Sequence, residues 1–152
     1  MSARITKGAR ELQRCLEIRC EVYVEEQRVP LALELDGMES RCTHFIAWAD
    51  EAGAGPTGEL DAAVGTARLM INSSREALAQ RVAVLAAARG RGIGRMLMLA
   101  IEQEVKTRGL SRISLGAQLT AIGFYETLGY EAFGEEFDDA GIPHRMMRHE
   151  LP

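Results

Sequence analysis

"RVAVLAAARGRGIGRMLMLAIEQEV", residues 81–105, runs from an apolar segment through a turn crowded with glycines and arginines into a second apolar segment. The first half reads as a strand ending near Leu85, bounded by the glycine-rich turn. From Ile93 the apolar residues Met96, Leu97, Ala100, Ile101 and Val105 fall at helical spacing, and Gly109 is a suitable residue just past a helix end. The stretch is therefore a strand, a tight turn over residues 89–94 and a helix. Backbone N–H groups at a helix N-terminus are unpaired and carry the positive end of the dipole, which suits an anion. Gly90, Gly92 and Gly94 remove the Cβ atoms that would hold a phosphate away, and Arg89, Arg91 and Arg95 add donors for phosphate oxygens. A dinucleotide fingerprint needs GxGxxG where this run has GxGxG, and a P-loop needs GKS or GKT, which is absent. A nucleotide-bearing acyl carrier with a pyrophosphate fits the turn better.

Working outward, residues 9–27 form an amphipathic helix with Leu12, Cys15, Leu16, Cys20, Tyr23 and Val24 on its apolar stripe. "LALELDGMESRC" reads as a loop, "THFIAWAD" as a strand, "EAGAGPTGEL" as a flexible turn and "AAVGTARLMI" as the next strand. With residues 78–85 these make an antiparallel meander. Downstream, "RISLGAQ" is a strand, "TAIGFYETLG" a short helix ending at Gly129, and the tail to Leu151 has room for a hairpin. The order predicts a single domain over residues 1–152, α/β (α+β) in class, with a mixed central sheet flanked by helices.

A chain of 152 residues fits one domain. The longest apolar run, residues 82–88, is too short to cross a bilayer, and no uninterrupted apolar core near the N-terminus suggests a secretory signal. The expected location is the cytoplasm. Net charge −4 offers no general attraction to nucleic acid or anionic membrane, so neither is expected as a partner. Cys15, Cys20 and Cys42 lack CxxC spacing and a matching histidine, so reduced thiols and no metal are expected.

At this point the sequence resembles the GNAT N-acetyltransferase superfamily, whose hallmark Q/R-x-x-G-x-G/A is met by Arg89, Gly92 and Gly94. "VAV", residues 82–84, resembles its bulged strand. "AQLTAIGFYETLGY" resembles its N-x-x-A-x-x-F-Y-x-x-x-G-F block, with Gln118 for Asn and Tyr130 for Phe. "VYVEEQRVPLALELD" and "GIPHRMM" look like the ElaA/YjcF-type branch, so the resemblance spans nearly the whole chain.

The resemblance implies the GNAT fold, acetyl-CoA as co-substrate and direct acetyl transfer to a primary amine of a small molecule or peptide. A homodimer is left open, and a sensing module that binds acyl-CoA with weak catalysis is the alternative. The turn containing Arg89, Gly90, Arg91, Gly92, Ile93, Gly94 and Arg95 would hold the pyrophosphate. The backbone of Val82, Ala83 and Val84 would meet the pantetheine arm, with Gln118 assisting. A backbone N–H at or beside Val84, freed by the bulge, would stabilise the oxyanion. Tyr125 occupies the family's general-acid position, and a phenol with pKa about 10 is protonated at neutral pH. The base is read as His144 or Glu26, because Leu78 stands where histone-type members carry a glutamate. Glu26, Glu34 and Asp36 would draw a cationic amine towards the acceptor pocket. His44 reads as a core or edge histidine and His149 as part of the tail.

Overall fold

The computed structural model describes residues 1–49 and 59–152. One seven-stranded sheet has the order β1-β2-β3-β4-β5-β7-β6. Its strands are β1 (Ser2–Ile5), β2 (Cys42–Trp48), β3 (Ala63–Ile71), β4 (Ala77–Val84), β5 (Arg112–Gln118), β6 (Glu131–Asp139) and β7 (Ile142–Glu150). The α-helices are α1 (Gly8–Arg19), α2 (Leu31–Glu34), α3 (Ile93–Thr107) and α4 (Ile122–Thr127). The meander β2–β4 and the terminal hairpin β6–β7 are present as expected. Residues 51–58 of the expected turn lie outside the described residues.

Alternation along β2 divides the core between two faces. Phe45 and Ala47 join the cluster built on α3, with Leu97, Met98 and Ile101, while Ile46 and Trp48 join Cys15, Ile18 and Val22 of the α1 side. Gly65 lets α3 sit directly on β3, since a Cβ there would lie 3.0 Å from Ile93 Cγ2 and 3.1 Å from Leu97 Cδ1. All three cysteines are free, and burial pushes the Cys15 thiol up to about 11.

Three local expectations change. β1 pairs with β2 from Ser2↔Trp48 to Ile5↔Phe45, a strand too short to carry a readable alternation. Leu31–Glu34, read as loop, is one helical turn. The helix over residues 9–27 is α1 followed by a π-helical segment, Cys20–Glu26. Its fully buried positions are Cys15, Ile18, Arg19 and Val22, not the stripe through Leu12 and Leu16, because a buried arginine interrupts the apolar pattern.

Arg19 belongs to a network of three arginines and three carboxylates. Its Nε donates to Glu34 Oε1 at 2.7 Å with both side chains 1% exposed, and its Nη2 donates to Glu39 at 3.0 Å. Arg68 reaches Asp36 at 2.5 Å and Glu39 at 3.2 Å, and Arg81 lies 3.3 Å from Glu34 and 3.5 Å from Asp36. Burial without pairing would be prohibitive for such groups, so the alternation of charge is what permits it. The hydrogen bonds from Arg68 hold the Asp36 carboxyl well below the usual carboxylate range. A depressed folded pKa gives stability that is present above the unfolded value and lost as pH falls towards the folded one. The stability gap between wild type and Asp36→Asn in urea unfolding should therefore be full at neutral pH and narrow below about pH 4. A gap that stays constant into that acid range would show that the ionised carboxylate contributes nothing.

Candidate active site

β4 and β5 are the parallel neighbours in the sheet, and they pair only at Ala77↔Ile113 and Leu78↔Ser114 before separating. The separation begins where β4 is bulged. Thr66 pairs with Ala83 and Arg68 with Gln80, so Arg81 and Val82 together oppose Ala67. Arg81 takes φ +53°, a left-handed conformation that is costly for a residue with a Cβ. Its guanidinium is tied to the Glu34 and Asp36 side chains and to the Leu33 and Glu34 carbonyls, which holds the bulge in place.

Beyond the bulge the backbone groups can be assigned a direction. Leu85 N–H donates to the Val64 carbonyl at 2.8 Å, and Gly65 pairs with Val84. Bonded and non-bonded pairs alternate in an antiparallel ladder, so the Val84 N–H and C=O point away from β3, into the gap. Consistently, the Val84 carbonyl accepts Arg89 Nε at 2.9 Å and the Val82 carbonyl accepts the Tyr23 hydroxyl at 2.6 Å. The Val84 N–H is left facing the open cleft.

The gap opens into a cavity of about 890 Å³, lined by Leu78 to Val84 of β4, by Leu115 to Gln118 of β5, by the turn before α3 and by Tyr125 and His144. It brings together most of the residues expected from the sequence. Ala83 and Ile93 border it while their side chains are buried, 3% and 2% exposed.

Within the turn the work is divided. Gly92 has φ +86°, and the one neighbour a Cβ there would meet is Met1 Cε at 3.8 Å. A Cβ at Gly94 would instead lie 3.2 Å from Phe124 Cζ, so this glycine lets α3 approach α4 rather than making space for an anion. Arg89 is committed elsewhere: its Nη atoms donate to both Glu26 oxygens at 2.6 and 2.7 Å. Arg91 and Arg95 are exposed and unpaired among the described residues, leaving them as the cations available to a phosphate.

The same ion pair changes the reading of Glu26. Hydrogen bonding from Arg89 lowers its carboxyl pKa, which makes it a poorer base, and it sits beside the turn. Glu34 and Asp36 do not act as free charges either, since the arginine network neutralises both. Those pairings were invisible locally because the partner arginines lie many residues away.

His144 is 9% exposed and stacks on Phe137 with ring centroids 5.7 Å apart. Its Nδ1 lies 2.7 Å from the Ile142 carbonyl, which can only accept, so Nδ1 carries a proton and Nε2 is the ring nitrogen left to exchange one. Tyr125 is 8% exposed and packs edge-on against Phe124 and Tyr130, and burial raises its phenol above the ordinary value. Since a phenol is already a weaker acid than a thiol, full proton transfer to a free thiolate runs uphill, and hydrogen-bond donation to developing charge is the easier task.

Two residues of the cleft escaped the sequence reading. Gln27 accepts the Gln118 carboxamide N–H at 2.7 Å, and its signal lay in the "EEQ" triplet. Tyr23, read as core, has its phenol pushed up to about 12 by burial and stays protonated as a donor to Val82. His44 is buried as expected, its Nε2–H bonded to the Glu39 carbonyl at 2.9 Å. His149 is more than tail: its ring packs at a tilt against Tyr130, centroids 5.1 Å apart, and lies against Gly129.

A mixed sheet parted at a bulge, with a glycine-rich helix start at the end of the cleft, is shared with enzymes of the acyltransferase class. The model of the acetyltransferase (GNAT) domain matches residues 37–151. The chain is 34% identical over 148 residues to the uncharacterized N-acetyltransferase YjcF of Bacillus subtilis, covering 97% of this chain and 98% of that one. An acyl-CoA N-acyltransferase from Pseudomonas aeruginosa superposes with TM-score 0.80 at 26% identity, over 98% of this chain and 99% of the other. Escherichia coli ElaA does so with TM-score 0.78 at 25% identity, over 98% and 97%. The chain belongs to the GNAT acetyltransferases, in the branch that contains YjcF and ElaA. Among the described residues no helix is long and apolar enough to cross a membrane.

Proposed function

We propose that this enzyme transfers an acetyl group from acetyl-CoA directly to a primary amine, without a covalent enzyme intermediate. The observation that carries the reading is the Val84 N–H, turned into the cleft by the bulge and without a ladder partner from β5. A preorganised donor of this kind is what a developing oxyanion requires. The residues present fit the donor: backbone N–H groups of residues 90–94 with Arg91 and Arg95 suit a pyrophosphate, and the Val82–Val84 edge and the paired Gln118 and Gln27 suit the amides of an extended arm. The structurally similar P. aeruginosa protein is an acyl-CoA N-acyltransferase, which favours the same kind of donor here.

Acetyl-CoA supplies an activated thioester. The amine nitrogen lone pair forms the new C–N bond, the C–S bond breaks, His144 Nε2 accepts the proton leaving nitrogen, and Tyr125 donates to the sulfur. His144 is preferred to Glu26 as base because its Nε2 is unpartnered among the described residues while Glu26 is ion-paired. Thiol release from acetyl-CoA, followed with a colorimetric reagent across primary amines, tests the reading. Amine-dependent release supports it, and binding of acetyl-CoA with no release for any amine favours the sensing module.

Gly92→Val offers a test of the donor site alone. A β-branched side chain at φ +86° is strained and intrudes where the backbone must approach an anion. Calorimetry should show acetyl-CoA affinity weakened by about tenfold or more, the loss of roughly one charge-assisted hydrogen bond. Undiminished affinity would reduce the turn to a structural element.

A further inference from the structure

A second, smaller cavity of about 60 Å³ adjoins the cleft on the side away from the glycine turn. It lies between α2 with its preceding loop, through Val29, Leu33 and Glu34, and the β6–β7 turn, through Asp139, Ile142 and His144. Tyr23, Arg81, Gln118, Asp139 and His144 border both cavities, so a molecule seated in the smaller one reaches the larger beside His144.

The charges around this small cavity are Glu34, Arg81 and Asp139, with His144 held in a defined tautomer. Arg81 is balanced by its ion pair to Glu34. Asp139 has no ion pair or side-chain hydrogen bond among the described residues, so the lining carries one uncompensated negative charge. Glu34 is 1% exposed and paired with Arg19 and Arg81, which leaves Asp139 as the carboxylate of this lining that is free to meet a cation. Val29, Leu33 and Ile142 give the same cavity an apolar part of its lining.

The strand register gives a distance. Phe137 pairs with His144 and Asp139 with Ile142, and the Phe137 and His144 rings stack. Asp139 is two residues beyond Phe137 and therefore on the same face, roughly 6–7 Å further along β6. That backbone spacing is on the order of the span of an extended chain of about four carbons between two nitrogens.

Resting on the acetyltransferase reading, we infer that the acceptor is a short aliphatic diamine, with one neutral amine at His144 and a second, cationic nitrogen held by Asp139. In the transfer the acetyl group moves from sulfur to the first nitrogen, whose proton leaves to His144, while the sulfur departs as the thiolate with Tyr125 donating a hydrogen bond to it. The second nitrogen keeps its proton throughout. Its charge is what discriminates this acceptor from monoamines and from amino acids whose far end is anionic.

The test uses acceptors of one length and three far-end charges: 1,4-diaminobutane, butylamine and 4-aminobutanoate, each assayed for kcat/KM by thiol release. The expected order is diamine over butylamine over 4-aminobutanoate, with about a tenfold step at each change of charge. Asp139→Asn should flatten the order, and Asp139→Lys should reverse it in favour of 4-aminobutanoate, with thermal melts confirming that both variants are folded. Equal kcat/KM for diamine and butylamine in the wild type overturns the diamine inference and leaves the transferase reading standing, as does an order that survives Asp139→Lys. No release with any primary amine, in a protein that binds acetyl-CoA, overturns both.

Discussion

Replacing Tyr125 by Phe is expected to lower kcat by about 10²- to 10³-fold while changing acetyl-CoA affinity by less than about twofold. The substitution removes one oxygen and keeps the ring that packs edge-on against Phe124 at 4.9 Å and Tyr130 at 5.8 Å. It therefore isolates the hydroxyl from the packing. Because burial raises the phenol further, it remains a neutral donor across the working pH range, and its contribution should be nearly independent of pH there. Single-turnover kinetics would place the defect in the chemical step, whereas equal turnover in both forms would leave Tyr125 as an aromatic spacer.

Arg81 should be nearly as sensitive, for a reason that concerns the backbone rather than a reacting atom. It is a positioning residue: the left-handed φ of +53° turns the strand, and the ion pairs to Glu34 and Asp36 hold that conformation. Arg81→Ala keeps a Cβ, with a dihedral cost of about 1–2 kcal/mol, and loses the anchors, so the bulge should relax and displace the Val84 N–H. A displacement on the order of 1 Å is expected to cost about 10² in kcat/KM. Arg81→Gly also loses the anchors but adopts the left-handed conformation freely, and should recover to within about tenfold of wild type. Equal losses in the two variants would assign the effect to the ion pairs alone. Unimpaired Arg81→Ala would mean that the strand is bent by its surroundings.

The difference between what could be read from the sequence and what could not follows the range of each interaction. The turn before α3 was readable because its chemistry is local: Gly92 must adopt a positive φ, and a helix start follows at once. The meander and α3 announced themselves by period. The partners of the acidic residues were not readable, because Glu26 is paired with Arg89, Glu34 with Arg19 and Arg81, and Asp36 with Arg68, across sequence separations that no local pattern encodes. Arg81 gave no sign of a bulge, since arginine is not a residue that favours positive φ. The roles of Tyr125, His144 and the Val84 region came from motif resemblance rather than from any property of those residues in isolation.

The two-residue pairing of β4 with β5 has a mechanical consequence. Strands β1–β4 and β5–β7 form two half-sheets stitched at Ala77↔Ile113 and Leu78↔Ser114, and an extended acyl donor lying in the gap would act as an inserted eighth ribbon between them. A donor in the gap would add ties between two groups of strands that already share the core packed on α3. The coenzyme's concentration would thereby set the stability of the molecule as well as its occupancy, since a ligand confined to the folded form stabilises it by mass action. An enzyme built this way reports the supply of its activated donor through its own resistance to unfolding.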